Sequence, residues 1–259
     1  MSLLAFSLLV WAISAIAMAL TWWMAMHVKN AGFVDVVWAG LMAFAALLAG
    51  ALAMGSEVPR TLVALFGSTW GARLSLHLLA RVLHEPEDGR YQALRARWQG
   101  SPARFFAFFQ AQAVVVALFA VPFFAAASQP DVHGAFLGAA TACWALSLAG
   151  ESLADRQLAR FRADPAHRGR TCRAGLWSWS RHPNYFFEWL HWFAYVLLAA
   201  GAPLAAWSWI GPIAMLLFLY RVSGIPWTEA QALRTRGEDY RRYQRQVSAF
   251  FPLPPRGAS

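Results

Sequence analysis

Apolar stretches of about 20 residues, parted by short polar breaks, recur along the whole chain, and a helix that crosses a bilayer needs roughly that length. The first run covers about Leu3–Met26 and is followed by a polar hinge, His27-Val28-Lys29-Asn30. The second, about Gly32–Met54, carries Asp35, and the third, about Thr61–Leu83, carries Arg73 and His77. A charged loop, His84–Arg104, leads to the fourth run, Phe105–Ala127. The fifth extends from Ala135 to about Ala154, with Glu151 and Asp155 at its end. A long basic loop, Arg156–Pro183, precedes the sixth run, Tyr185–Ala200, and the seventh spans about Trp207–Val222. A basic, aromatic tail, 227–259, follows. Backbone polar groups inside the hydrocarbon must be paired within their own segment, which excludes open sheet. The pattern predicts an all-α integral membrane protein of about seven helices.

Composition agrees. Of 259 residues, 59% are apolar and 14% charged, against about 25% charged in a soluble domain. The net charge of +9 is carried almost wholly by arginine, in loops between apolar runs. That placement predicts positive-inside topology rather than a nucleic-acid partner. Arginines crowd the loops after the third and fifth runs and the tail, whereas the loops after the second, fourth and sixth hold only Arg60. Alternation then sets the N-terminus outside and the C-terminus in the cytoplasm. The first run has no Lys or Arg before it and is long for a signal-peptide core, so it reads as a retained helix. Cys143 and Cys172 show neither a pairing framework nor metal spacing. A single membrane domain, 1–259, is expected.

Ionisable groups at bilayer depth are costly and usually face a partner or a cavity. Asp35 sits about one turn into the second helix. Arg73 and His77 are four apart on the third and share a face. An ion pair between Asp35 and Arg73 and a functional role for either are both open. His77 reads as a satisfied core histidine or a catalyst. Trp22, Trp23, Trp177 and Trp179 read as interfacial belt residues.

The densest polar cluster is 151–188. It opens with Glu151 and Asp155, passes Arg160, Arg162, Arg168, Arg170 and Arg173, and ends in Gly175-Leu-Trp-Ser-Trp-Ser-Arg181-His182-Pro183-Asn184-Tyr185-Phe-Phe-Glu188. Asp155 and Arg162 are two helical turns apart and line one stripe. Pro183 suits the first turn of a helix, whose N-terminus favours an anion. Arginines beside it make a phosphate site or a loop that touches lipid headgroups. Asn184, Tyr185 and Glu188, just inside the membrane, favour a ligand site. Glu229 lies past the seventh run, near the membrane surface. Tyr240 and Tyr243, three apart on a predicted helix, either stack on a flat ring or anchor the tail.

The 175–188 stretch, together with Gly237-Glu-Asp-Tyr-Arg-Arg-Tyr243, resembles the steroid 5-alpha-reductase superfamily. It resembles more closely that superfamily's bacterial branch, formerly labelled a domain of unknown function. Asn30-Ala-Gly-Phe-Val-Asp35-Val-Val-Trp38 and Asp88-Gly-Arg-Tyr91-Gln-Ala-Leu-Arg95 also look like that branch, so the resemblance covers nearly the whole chain. The Arg181-His182-Pro183-Asn184-Tyr185 element is shared with the isoprenylcysteine carboxyl methyltransferases. The resemblance implies a seven-helix NADPH-dependent reductase in the bacterial inner membrane, with 1–127 on the substrate side and 135–259 on the cofactor side. It implies that Asn184 and Glu188 match a family Asn–Glu pair, and that Asp155 and Arg162 match a cofactor-binding pair. Glu151 stands where the family has Asn. Glu229 stands where it has His and where the methyltransferases tend to have Glu. The family's catalytic Gln–Glu pair has no counterpart; Asp35 and Trp38 occupy the comparable helix. Its substrate-polarising Tyr falls near Leu78, beside His77.

The expected function is hydride transfer from NADPH to a C=C bond, such as an enone, of a hydrophobic steroid-like or lipid substrate. Asp35, His77 and Trp38 are the candidate catalytic residues. The candidate cofactor residues are Glu151, Asp155, Arg162, Arg168, Arg170, Arg181, His182, Asn184, Tyr185, Glu188, Glu229, Tyr240 and Tyr243; no metal is expected. The cofactor's adenosine and phosphates are expected in the 156–182 loop. Alternative readings are an S-adenosylmethionine-dependent methyltransferase and a non-enzymatic lipid-binding protein.

Overall fold

The computed structural model describes residues 1–222 and 224–256, and among them no strand forms. The helices are α1 (Leu3–His27), α2 (Phe33–Leu52), α3 (Glu57–His84), α4 (Gly89–Arg97), α5 (Pro102–Ala127), α6 (Gly134–Ala163), α7 (Pro183–Leu198), α8 (Ala205–Ser208), α9 (Ile210–Leu217) and α10 (Ile225–Gln246). A π-helical turn, Phe218–Val222, continues α9. Among the described residues six helical ranges are long and apolar enough to cross a membrane. They are α1, α2, α3, α5, α6 and the range Ala205–Gln246, whose apolar part precedes α10. The chain is an integral membrane protein. The expected sixth run forms α7, whose 16 residues extend about 24 Å, short of the ~30 Å hydrocarbon core.

The chain folds as two compact units, Met1–Leu137 with Tyr195–Gly211, and Gly138–Ala194 with Pro212–Ser259. In the first unit α2 packs on α3, and α5 packs on α1 and α2. Small residues bring α2 and α3 together. A Cβ on Gly67 would lie 2.3 Å from the Ala46 Cβ, and one on Gly71 would lie 2.7 Å from the Ala43 nitrogen. Such contacts are the usual substitute for a hydrophobic driving force between helices in lipid. The loop expected at 84–104 contains α4, begun by the Asp88 carboxylate, which accepts from the Arg90 N–H at 2.9 Å.

In the second unit α6 continues to Ala163, beyond the expected end near Ala154. Its 30 residues extend about 45 Å, so roughly its last three turns outrun the hydrocarbon. Gly150 lets the Phe187 ring lie where a Cβ would be 2.4 Å away, which seats α7 on α6. Trp177 is not a belt residue: it is buried, and its indole N–H donates to the Ala154 carbonyl at 3.0 Å. After α10 the chain returns along the loop before α7. The Arg181 N–H donates to the Ser248 carbonyl at 2.8 Å, and the Leu253 N–H donates to the Trp179 carbonyl at 3.0 Å.

Candidate functional site

The overrun of α6 carries Arg162 out beside the next loop. There a short 3-10 turn, Pro165–His167, is started by Asp164, which accepts from the Ala166 N–H at 2.9 Å. His167 stacks on Phe161 with ring centroids 4.1 Å apart. These elements, together with α10, line an open cavity of about 260 Å³ bordered by Leu158, Arg162, His167, Arg168, Gly169, Arg170, Thr235 and Arg236. No carboxylate is among the lining residues. The C-terminal end of a helix dipole disfavours an anion by ~0.3–1 kcal/mol. A hydrogen bond to a charged group contributes ~1.5–3 kcal/mol, so several guanidiniums outweigh the dipole. The arrangement can hold phosphate or another multiply charged anion.

Two turns back along α6, Asp155 meets α7: the Asn184 amide N–H donates to Asp155 Oδ1 at 3.3 Å. The structure thus brings together two residues singled out from the sequence, and it leaves the Asn184 amide oxygen as an acceptor. Glu151 is buried one turn further back, and Glu188 lies half-buried one turn along α7.

Arg181 and His182 do not cradle an anion at the start of α7, because the tail holds them. Arg181 Nε donates to Glu229 Oε1 at 2.7 Å, and its Nη1 donates to the Gln244 and Val247 carbonyls at 3.0 and 2.7 Å. His182 Nε2 lies 3.2 Å from the same Glu229 oxygen, and Gln244 Nε2 donates to Glu229 Oε2 at 2.8 Å. Burial would raise the Glu229 carboxyl; hydrogen bonds from His182 and Arg181, with the Arg181 charge, bring it down to about 2. Burial pushes the His182 imidazole below its usual value, and Glu229 opposes this only in part. Tyr185 stacks flat on His182 at 5.3 Å and meets the Thr228 hydroxyl at 3.2 Å.

Tyr240 and Tyr243 are core residues, not a nucleotide platform. Both are buried with Ala232 and Val247, and the Tyr243 hydroxyl donates to the Trp177 and Ser180 carbonyls. Burial raises both phenols above their usual value. Thr235 and Arg236 are cavity residues that sequence reasoning missed. Only the fold of the tail brings them beside α6, and the local signal is no more than a Thr-Arg pair before Gly237.

In the first unit Asp35 meets Arg90, a partner that the sequence reading did not name. Its Oδ2 accepts from Arg90 Nη2 at 3.0 Å, and its Oδ1 accepts from the Tyr91 hydroxyl at 2.8 Å. Both Asp35 oxygens are therefore acceptors. Tyr91 is raised well above its usual value, by burial first and then by the Asp35 charge. Beside this pair Glu87 accepts from Arg95 at 2.7 Å and from the Ala31 N–H at 2.7 Å. Trp38 packs edge-to-face on Trp70 and Phe119, with centroids 6.4 and 5.9 Å away. His77 is half-buried on α3.

A family model described as Protein of unknown function (DUF1295) matches residues 21–247. No curated protein matches the chain.

Proposed function

The chain belongs to the DUF1295 family, and we propose that it is a membrane-embedded reductase that binds NADPH at the cationic cavity and reduces a C=C bond, of the enone type, in a hydrophobic steroid-like or lipid substrate. The observation that carries this reading is the convergence of Arg162, Arg168, Arg170 and Arg236 without a carboxylate among them. NADPH offers that cavity a pyrophosphate and a ribose phosphate, which guanidinium forks match in charge and shape. S-adenosylmethionine carries no phosphate and a positive sulfonium, so the same cavity disfavours a methyltransferase. Pockets that enclose a drug-sized ligand measure ~300–1,000 Å³. The cavity of about 260 Å³ therefore suits the phosphate-bearing end alone. Resemblance to the steroid 5-alpha-reductase superfamily at Asp155, Arg162, Asn184 and Glu188 supports the same assignment.

When bound, NADPH would supply the hydride to one alkene carbon, and a proton from water would complete the other. The arginines neutralise and hold its phosphates. Asp155 fixes the Asn184 amide, so that a polar acceptor is oriented in advance, two helical turns from Arg162. Positive-inside topology opens the cavity to the cytoplasm, where the reduced nucleotide is available, and the membrane is then the bacterial inner membrane. Purified protein in neutral-lipid nanodiscs is expected to oxidise NADPH when given an enone lipid, and deuterium from labelled NADPH should appear in the product. Asn184→Ala should lower turnover about 100-fold through misplacement of the reacting groups. No oxidation with any enone lipid, and no NADPH binding, would contradict the proposal.

A further inference from the structure

The cavity wall supplied by α10 belongs to a segment pinned on either side. On its N-terminal side Glu229 is held by Arg181 at 2.7 Å. On its C-terminal side Asp239 accepts from the Thr171 N–H at 2.8 Å and from Arg173 Nη2 at 3.0 Å. Between the pins the helix breaks at Gly237, with φ 51° and ψ −121°. Non-glycine side chains rarely adopt that conformation, yet a Cβ there would meet nothing within 4 Å. Packing does not explain the glycine; the backbone conformation does. Immediately before the break, Thr235 and Arg236 face the cavity. Arg236 has no carboxylate partner among the described residues, and its guanidinium rests over the Tyr240 ring, 5.2 Å from the centroid. A ring holds an arginine more weakly than an anion does.

We infer that Thr235–Gly237 is a strap that closes on a bound phosphate, with Arg236 as a ligand-binding residue and Gly237 as the hinge. The inference rests on the cavity being a phosphate site. Its ligand class is a phosphate ester, on a nucleotide or on a lipid headgroup. Arg236 leaves the Tyr240 ring for the phosphate, the Thr235 hydroxyl exchanges its bond to the Gln231 carbonyl, 3.0 Å long, for one to the phosphate, and the two pins keep the rest of α10 in place.

The full-length protein in phosphatidylcholine nanodiscs is titrated with NADPH, with adenosine 2′,5′-bisphosphate and with glycerol 3-phosphate, the last standing for a lipid headgroup. Wild type should bind both nucleotides. Arg236→Ala should weaken them about tenfold, the loss of one charge-assisted contact. Arg234→Ala, exposed and outside the cavity lining, should leave affinity unchanged. Gly237→Ala should also weaken binding, and amide exchange across 233–238 should slow when ligand is added. If wild type binds NADPH, Arg236→Ala and Arg234→Ala bind it equally well, and exchange is unmoved, the strap is overturned and the nucleotide reading stands. If only glycerol 3-phosphate binds, with the same dependence on Arg236, the strap stands and the nucleotide reading falls. Binding of none of the three overturns both.

Discussion

Glu229 sits past the apolar runs with side-chain exposure of 15%, against 12% for its partner Arg181. Removing one member of such a pair leaves a charge uncompensated, so Glu229→Ala should cost about 3–5 kcal/mol of stability, read as a fall in Tm. The same cluster sets the acid response. Both folded-state values are depressed, so each contribution is present above the unfolded value and lost as pH falls through the folded one. His182 starts from 6.5 and Glu229 from 4.5. Tm should therefore hold from pH 8 to 7, fall below about 6.5 as His182 is forced to protonate, and fall again below about 4.5. His182→Asn should flatten the first step, as thermal unfolding across pH would show. Asp35, paired with Arg90 at about one-third exposure, matters less, and Asp35→Asn should cost about 1 kcal/mol. Sequence spacing singled out Asp155 and Asn184 separately, because helical stripes and a helix-starting proline are local signals; their contact across α6 and α7 is tertiary. The fate of Arg181, His182 and Glu229 was not legible. It depends on the tail returning to Ser248, a tertiary event with no local pattern.

Among the elements, the packing of α2 on α3 is the most exposed to a single change. Gly67→Val would force a side chain against Ala46, and overpacking of that kind costs about 1–3 kcal/mol or more. Detergent-extracted protein should show a lower Tm and a lower folded yield, whereas Gly138→Ala, with open space around its Cβ, should show neither. Hydropathy found α1, α2, α3 and α5 to within a few residues, because lipid selects long apolar runs. It missed α4, whose nine residues are too few and too polar to form an apolar run and are held by buried Tyr91 together with Asp35 and Glu87. It also ended α6 too early. Once Asp155 and Arg156 appear, hydropathy falls, but helix propensity does not, and 151–163 contains no Gly or Pro. The helical spacing of Asp155 and Arg162 still put both on one stripe, so the arginine side of the cavity was legible, whereas the wall from Thr235 and Arg236 was not.

For the whole molecule, charge is the organising feature. Under the proposed function the second unit's arginine-rich cavity lies at the face that the positive-inside rule assigns to the cytoplasm and takes a multiply charged nucleotide as its ligand. Contacts of this type are screened by salt, so NADPH affinity should fall steeply as ionic strength rises. The most direct test is the thermal unfolding of the purified protein at saturating NADPH and, separately, at saturating S-adenosylmethionine. NADPH at 100 times its Kd should stabilise the fold by about 2.7 kcal/mol. The gain should vanish in the Arg168→Ala/Arg170→Ala double variant, and S-adenosylmethionine should give none. Stabilisation by S-adenosylmethionine alone, or by neither ligand, would contradict a nucleotide-phosphate site at this cavity.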